Sequence, residues 1–211
     1  MNHKQQSVGG MKERKRQNAD HRKPVILKAF YEVIEAIGFE NASVAKVAKH
    51  AGVHASLVIH YFGSKERMVL ELVDEVLQTY ADLIRKLPDS GEPHERLEQL
   101  LALIWSREWH EAASFSVLFS FLALSQRDER VMSRLYTLYE RYGKYLREQV
   151  RFFADADVIR VTDPEAATQG LISLSEGSHY FCRFHIKNGT FDEHCKIMIQ
   201  AAKRILGVRE K

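Results

Sequence analysis

The sequence of 211 residues predicts an all-α protein. Apolar residues recur at helical spacings of three and four along most of the chain, and no segment alternates apolar and polar residues as a half-buried strand would. Ser, Thr or Asp precede many of these patterns as candidate N-caps, and Gly or Pro follow them. Together these features predict about nine helices, with a small N-terminal domain and a larger helical C-terminal domain.

The first twenty residues lack apolar periodicity and include Gly9-Gly10 and the charged run Lys12–Arg16. We therefore expect a flexible basic arm over residues 1–20. Such an arm is either a solvated leader or a source of phosphate and minor-groove contacts, and the sequence favours neither interpretation.

Three helices are predicted after this arm. Apolar positions from Ile26 to Ile37 form one amphipathic pattern, which ends at Gly38. Two short patterns follow and meet at Ala51-Gly52-Val53, which leaves no room for a conventional loop. Ser43 is a candidate N-cap, and Gly52 can adopt the left-handed conformation that ends a helix. This arrangement predicts a helix-turn-helix, whose second helix fits the DNA major groove.

The remaining chain reads as one helix after another. Ser64 can cap a long helix that runs to about Leu87, and a break follows at residues 88–91. Pro at the first helical position and capping-box Glu mark several later starts. These signals predict helices that start at Pro93, span about 109–125 and 127–153, start at Pro164, and run from Thr190 to about Leu206.

Charge is distributed unevenly along the chain. Residues 1–65 contain eleven Lys/Arg against five Asp/Glu, whereas the remainder contains twenty against twenty-three. Positive charge concentrated in the part that contains the helix-turn-helix is expected of a protein that contacts phosphates.

Composition excludes several other classes of protein. The only two cysteines, Cys182 and Cys195, predict no disulfide framework and a reducing, cytoplasmic location. No apolar run is long enough for a membrane span. No phosphate-binding Gly loop, zinc-protease motif or nucleophile elbow occurs, so catalysis is not expected.

The segment from Arg22 to Val69 resembles the N-terminal domain of TetR-family transcriptional regulators. The resemblance implies a helix-turn-helix domain at 21–65 and an effector-binding and dimerisation domain at 66–211. It also implies a repressor that binds a palindromic operator in double-stranded DNA as a homodimer and is released by a small molecule, without a cofactor. The matching elements are Ile26-Leu27-x-Ala29, Gly38-Phe39, Ser43, Val47-Ala48, Ala51-Gly52-Val53, Tyr61-Phe62 and Ser64-Lys65-Glu66.

The same resemblance and the helical register indicate which residues face DNA. Lys65 matches the phosphate-contacting lysine of the family, while Ile59 stands where many members have a Tyr. Few of the candidates can make bidentate contacts with a base, so the operator sequence cannot be derived. The candidate DNA-binding residues are Ser43, His54, Ala55, Ser56, His60, Tyr61 and Lys65.

The C-terminal region is similar to the subgroup that contains choline-responsive regulators. If its aromatic residues surround a cavity, their ring faces would hold a cationic ligand. Each of them alone is more often a core residue than a ligand contact. The candidate pocket residues are Trp105, Trp109, Phe115, Phe119, Tyr136, Tyr139 and Tyr180.

Small residues on the last two helices predict the dimer interface. Glycine inside a helix costs about 1 kcal/mol relative to Ala, and close helix packing explains its presence, either between subunits or within one. In TetR-like proteins the last two helices of each subunit form the dimer. The candidate interface residues are Gly170, Leu174, Gly177, Phe181, Ile197, Ala201 and Ile205.

A metal- or redox-responsive regulator on the same fold is the alternative hypothesis. His179, Cys182 and His185 follow one another at a spacing of three residues, and His194 and Cys195 start the next helix. A complete set of ligands would need the last helix or the other subunit. We assign no metal ligand from the sequence.

Overall fold

The computed structural model describes residues 4–87, 90–185 and 191–209, without the side chains of residues 4–20, 183 and 185. These ranges contain ten helices, of which α6 is a single turn. Their bounds are α1 Lys4–Ile37, α2 Val44–His50, α3 Ala55–Phe62, α4 Lys65–Ile84, α5 Pro93–Ile104, α6 Arg107–His110, α7 Phe115–Ser125, α8 Glu129–Asp155, α9 Pro164–His185 and α10 Phe191–Leu206.

The all-α prediction is confirmed. Nine helices longer than one turn are present in the described ranges, and the only β-type pairing there is an isolated antiparallel bridge between Ile159 and Val208. None of the helices in these ranges combines the length and the apolar character that crossing a bilayer requires.

Helix α1 starts earlier than the sequence predicts. A flexible basic arm was expected over residues 1–20 for lack of apolar periodicity, and the backbone is helical from Lys4 onward. Residues 4–23 contain no Pro and are rich in Lys, Arg and Gln, which favour helix even without an apolar face. Residues 1–3 lie outside the described residues, and the flexibility of the arm stays a prediction.

The chain divides into two compact units. The first contains the residues up to Glu75 together with Ser116–Arg127, and the second contains Val76–Phe115 and the residues from Asp128 onward. This division falls within α4, whereas the predicted functional boundary lies between residues 65 and 66. The predicted domains at 1–20, 21–65 and 66–211 stay a prediction about function.

The core of the first unit fixes the three N-terminal helices. Helices α1, α2 and α3 contact one another in pairs. An ion pair of 2.6 Å between Lys23 Nζ and Glu71 Oε2 joins α1 to α4. Burial of the apolar faces stabilises this arrangement because α2 and α3, with seven and eight residues, are too short to be stable alone. The large side chains buried completely or nearly so are Ile26, Phe30, Ile34, Val47, Val58, Phe62, Met68 and Leu72.

The second unit is a bundle in which α9 packs on α8 and α10, and α5 packs on α8 and α10. The short segment after α8 closes the bundle by pairing with the end of α10. Arg160 N donates to Leu206 O at 3.1 Å and to Gly207 O at 3.0 Å. Gly207 has φ +57°, and a Cβ there would lie 2.6 Å from Arg160 O. Only glycine fits this position without displacing the backbone.

Candidate DNA interface and effector pocket

The turn between α2 and α3 sets the direction of the second helix. Gly52 has φ +66°, a conformation that other residues rarely adopt. Val53 N then donates to Ala48 O at 2.9 Å, which closes the end of α2. The sequence signal at Ala51-Gly52-Val53 therefore predicts this turn correctly.

Helix α3 is held by one buried side and presents the other side to solvent. Val58 and Phe62 are buried, whereas Ala55, Ser56 and His60 are exposed. Ile59 is also exposed, with 45% of its surface accessible. Eight residues in two turns, anchored on one side, match the recognition helix of a helix-turn-helix.

The ends of α3 contain further predicted contacts. His54 occupies the N-cap position of α3 without a capping hydrogen bond from its side chain, and it is exposed. Tyr61 is half-buried, with its ring centroid 5.4 Å from that of His60. Contacts of these two side chains with phosphates or base edges stay a prediction.

Ser43 and Lys65 both have structural contacts in addition to their predicted role at DNA. Ser43 is an exposed N-cap, and its Oγ accepts from Lys46 N at 3.3 Å. Lys65 Nζ donates to Phe39 O at 2.8 Å and lies 4.0 Å from the centre of the Phe39 ring. Burial lowers the pKa of Lys65, against the opposing effect of Glu40 and Glu66. The contact with Phe39 cannot be deduced from the sequence.

Lys46 and Lys49 were not among the predicted DNA contacts. Both are exposed on α2, three residues apart, so they share a face of that helix. Their spacing and their position in the first helix of the helix-turn-helix are the signals that could have identified them. They are additional candidates for phosphate contact.

An aromatic cluster in the second unit extends from the buried Trp109 and Tyr142 to the exposed Tyr139 and Glu176. The Trp109 ring centroid lies 5.1 Å from that of Tyr80 and 5.6 Å from that of Tyr142. Tyr139 Oη donates to Glu176 Oε2 at 3.2 Å. Burial, followed by the Glu176 charge, raises the pKa of Tyr139 above its ordinary range. We call Tyr80, Trp109, Tyr139 and Tyr142, together with Glu176, the aromatic cluster.

Electrostatic effects connect Glu176 to the other members of the cluster. Burial raises the pKa of Tyr142, and the Glu176 charge raises it further. Burial also raises the pKa of Glu176, whereas the hydrogen bond from Tyr139 lowers it. Glu176, Tyr80 and Tyr142 were not predicted, because a Glu and single tyrosines on three different helices carry no local signal of a shared site.

A cavity lies beside this cluster, between α5, α6, α9 and α10. Its enclosed part has room for about one water molecule, and the rest is open to solvent. Trp105 and Trp109 line it, together with His110, His179 and His194. The His110 and His179 ring centroids are 4.3 Å apart, and His194 Nε2 lies 2.9 Å from Ser178 Oγ.

The other predicted pocket residues do not line this cavity. Phe115 packs against Tyr180, with ring centroids 5.9 Å apart, and Tyr139 contacts Glu176. Tyr136 is 63% exposed, and the exposed Phe119 belongs to the other compact unit. Aromatic content along one helix predicts burial in general, but helix packing decides which rings share a cavity.

The predicted dimer residues lie on α9 and α10, partly at the surface. A Cβ at Gly170 would lie 3.4 Å from Ile205 Cγ2, an ordinary van der Waals contact, and a Cβ at Gly177 would meet nothing within 4 Å, so the role of both glycines at a dimer interface stays a prediction. Leu174 and Ala201 are half-buried. The exposed large apolar residues on these two helices are Tyr180, Phe181, Phe184, Ile197 and Ile205.

The metal hypothesis gains no support from the described part of the chain. No group of three or more His, Cys, Asp or Glu side chains there is arranged to hold a metal ion. Cys182 and Cys195 are buried free thiols that line the cavity. The side chain of His185 lies outside the described residues.

Comparison with curated proteins identifies related regulators. The chain is 28% identical over 161 residues to the HTH-type transcriptional regulator BetI of Vibrio parahaemolyticus, which covers 74% of this chain and 77% of the relative. It is 27% identical over 160 residues to BetI of Agrobacterium fabrum, covering 74% of each chain. These relatives are transcriptional regulators and not enzymes.

Solved structures share the fold. A transcriptional regulator from Saccharomonospora viridis, solved in complex with choline, matches with a TM-score of 0.76 and 18% identity over 90% of this chain and 99% of its own. A TetR regulator from Haloarcula marismortui matches with a TM-score of 0.73 and 18% identity, over 89% of this chain and 97% of its own.

Family models cover both parts of the molecule. Residues 26–72 match the model described as bacterial regulatory proteins, tetR family. Residues 92–208 match the model of the tetracyclin repressor-like C-terminal domain, which alone spans more than half of the chain. The chain therefore belongs to the TetR family and is a DNA-binding transcriptional regulator.

Proposed function

We propose that this protein is a repressor that binds a palindromic operator as a homodimer in the cytoplasm and is released by a small cationic molecule. The exposed side of α3 supports the DNA-binding part of the proposal. Two such helices, related by two-fold symmetry and about 34 Å apart, enter successive major grooves. One copy of an eight-residue helix contacts too few base pairs to be selective alone.

A second copy of the chain is the proposed partner of the α9 and α10 surface. Phe184 is 62% exposed and Ile197 is 57% exposed, and they belong to a set of five large apolar side chains on these two helices. Apolar patches of this kind are a common mark of protein interfaces. A symmetric dimer would cover the patch with the same patch of the other subunit.

The aromatic cluster is the single observation that supports a cationic effector. Trp109 contacts the rings of both Tyr80 and Tyr142, and Glu176 adds a negative charge that acts on Tyr142. Ring faces attract cations, and a carboxylate in a partly desolvated site strengthens this attraction. The choline complex of the Saccharomonospora viridis protein supports choline as the first compound to test.

Helix α4 offers the route from effector to DNA. It contains both Lys65, which contacts Phe39, and Tyr80, which contacts Trp109. A ligand that displaces Tyr80 would move α4 and thereby change the spacing of the two recognition helices. It can release DNA only to the extent that it binds the DNA-free conformation more tightly than the DNA-bound one.

The test uses choline and its uncharged isostere 3,3-dimethyl-1-butanol. The operator is first selected from a genomic DNA library with the full-length protein. We expect choline to weaken operator binding by about 5- to 150-fold, the usual range of allosteric coupling, and the neutral isostere to have little effect. Glu176→Gln should reduce the choline response and leave ligand-free operator binding unchanged. Equal responses to both compounds would contradict a cationic effector.

A further inference from the structure

The cavity lined by three histidines has a chemistry different from that of the aromatic cluster. Among the described residues that line it, none is Asp, Glu, Lys or Arg. Its polar groups are the imidazoles of His110, His179 and His194, serine hydroxyls, two cysteine thiols and the indole of Trp105. Such a lining offers several hydrogen-bond donors and no negative charge.

Trp105 supplies the most informative donor. Its side chain is only 5% exposed, and Nε1 is buried without a hydrogen-bond partner in the described structure. An indole N–H can only donate, and leaving a buried donor without an acceptor costs free energy. A tryptophan that lines a cavity in this state favours a ligand that brings an acceptor.

Burial favours the neutral form of the ionisable groups that line the cavity. Burial lowers the pKa of all three histidines, and it lowers that of His179 to about 4 with His110 adding to the effect. Burial raises the pKa of both cysteines. Burial thus disfavours both protonation of an imidazole and ionisation of a thiol, so the cavity offers neutral hydrogen-bond donors.

Charged groups outside the lining balance one another in part. Arg107 of α6 and Glu111 at its C-cap act on His110, and Asp192 of α10 acts on Cys195. Arg107 pairs with both carboxylates, at 3.4 Å from Glu111 and 3.6 Å from Asp192. Its guanidinium also lies 4.6 Å from the ring centre of Phe191, which lines the cavity, so a permanent positive charge stands beside it.

We propose that this cavity binds the carboxylate group of a small organic acid. A carboxylate supplies up to four acceptor positions, which match the Trp105 N–H and the imidazole and serine donors. Hydrogen bonds to an ionised acceptor are roughly twice as strong as neutral ones. The enclosed space, with room for about one water molecule, admits one carboxylate oxygen, and the rest of the ligand lies at the open side. This site does not depend on the cationic effector proposed above.

The experiment titrates the DNA-free, full-length protein with acetate and with acetamide, its uncharged isostere. Ionic strength is held constant with chloride. Both tryptophans of the chain, Trp105 and Trp109, line the cavity, so intrinsic fluorescence reports directly on it. We expect a saturable change with acetate and a much weaker one with acetamide.

Variants distinguish binding of acetate in the cavity from a general effect of the anion on the protein. Trp105→Phe removes the orphan donor while keeping an aromatic ring, and His179→Gln keeps a polar side chain without an imidazole. Each substitution should weaken the binding of acetate by about tenfold, as expected for one lost hydrogen bond to a charged group. His94→Gln, in α5 and outside the lining, should leave binding unchanged. Equal binding of acetamide, no saturable response to acetate, or unaltered binding by both cavity variants would overturn the proposal.

Discussion

Helices α3 and α9 both present residues with proposed functions, but they do so in different ways. Helix α3 has one buried side, with Val58 and Phe62, and one exposed side. Helix α9 contacts α8 and α10, contributes Ser175 and Cys182 to the cavity, and exposes Phe184. In α3 the position of a residue along the helix is enough to assign its function, because one side is buried and the other is exposed. In α9 only the packing of the whole bundle assigns each residue to a surface.

The largest expected effect tests whether α3 depends on its buried side. Phe62→Ala removes a ring that is 2% exposed and should lower the free energy of unfolding by about 3–5 kcal/mol. Ile59→Ala, in the same helix but on the exposed side, should change it by less than about 0.5 kcal/mol. Chemical denaturation of both variants measures this difference.

An equal loss of stability in the two variants would contradict the assignment of sides. Operator binding adds a second readout. Phe62→Ala should abolish it because α3 loses its position, whereas Ile59→Ala leaves the backbone in place. If Ile59 proved as important for stability as Phe62, α3 would not have the distinct buried and exposed sides that distinguish it from α9.

The sequence predicts the helix-turn-helix region, which contains α3, well. Gly52 and the Ser43 cap act within a few residues of their own positions, so local rules suffice to predict the turn and α2. The helical class and the starts at Pro93 and Pro164 are predicted for the same reason. The helical backbone of residues 4–20 is not predicted, because Gly9-Gly10 and the missing apolar pattern disfavour a helix there.

The site in the second unit is only partly predictable. Trp105 and Tyr136 are both aromatic residues in or beside helices, yet one is 5% and the other 63% exposed. The contact of Tyr139 with Glu176 joins residues 37 positions apart, and His110 meets His179 across two helices. Contacts of this kind depend on how helices pack, and sequence spacing within one helix contains no information about them.

A second prediction concerns the end of α10, where local geometry matters as much as in the turn before α3. Gly207→Ala introduces a Cβ that would lie 2.6 Å from Arg160 O, at a residue with φ +57°. We expect a loss of about 1–3 kcal/mol in unfolding free energy, because the backbone must move.

Gly177→Ala is the matched control in the same unit. A Cβ at Gly177 meets no atom within 4 Å, and the residue lies inside α9, so this change should stabilise the isolated subunit by up to about 1 kcal/mol. If Gly207→Ala lowers the free energy of unfolding and Gly177→Ala raises it, the two glycines have different roles. If Gly207→Ala left stability unchanged, the closing contact with Arg160 would be unimportant.

The smallest expected effect concerns Lys65, where a structural contact and a proposed DNA contact share one side chain. Lys65→Ala removes the hydrogen bond to Phe39 O and should lower the free energy of unfolding by about 0.5–1.5 kcal/mol. A lost phosphate contact would also make the dependence of log affinity on log salt concentration shallower by about 0.9. Because phosphate contacts carry no sequence information, operator and non-specific DNA should weaken to a similar degree. Lys28→Ala, an exposed lysine of α1 that pairs with Glu32, controls for the loss of one positive charge in the same unit. A stability loss with an unchanged salt slope would assign Lys65 to the Phe39 contact alone, and α3 with its neighbours would then have to contact DNA without it.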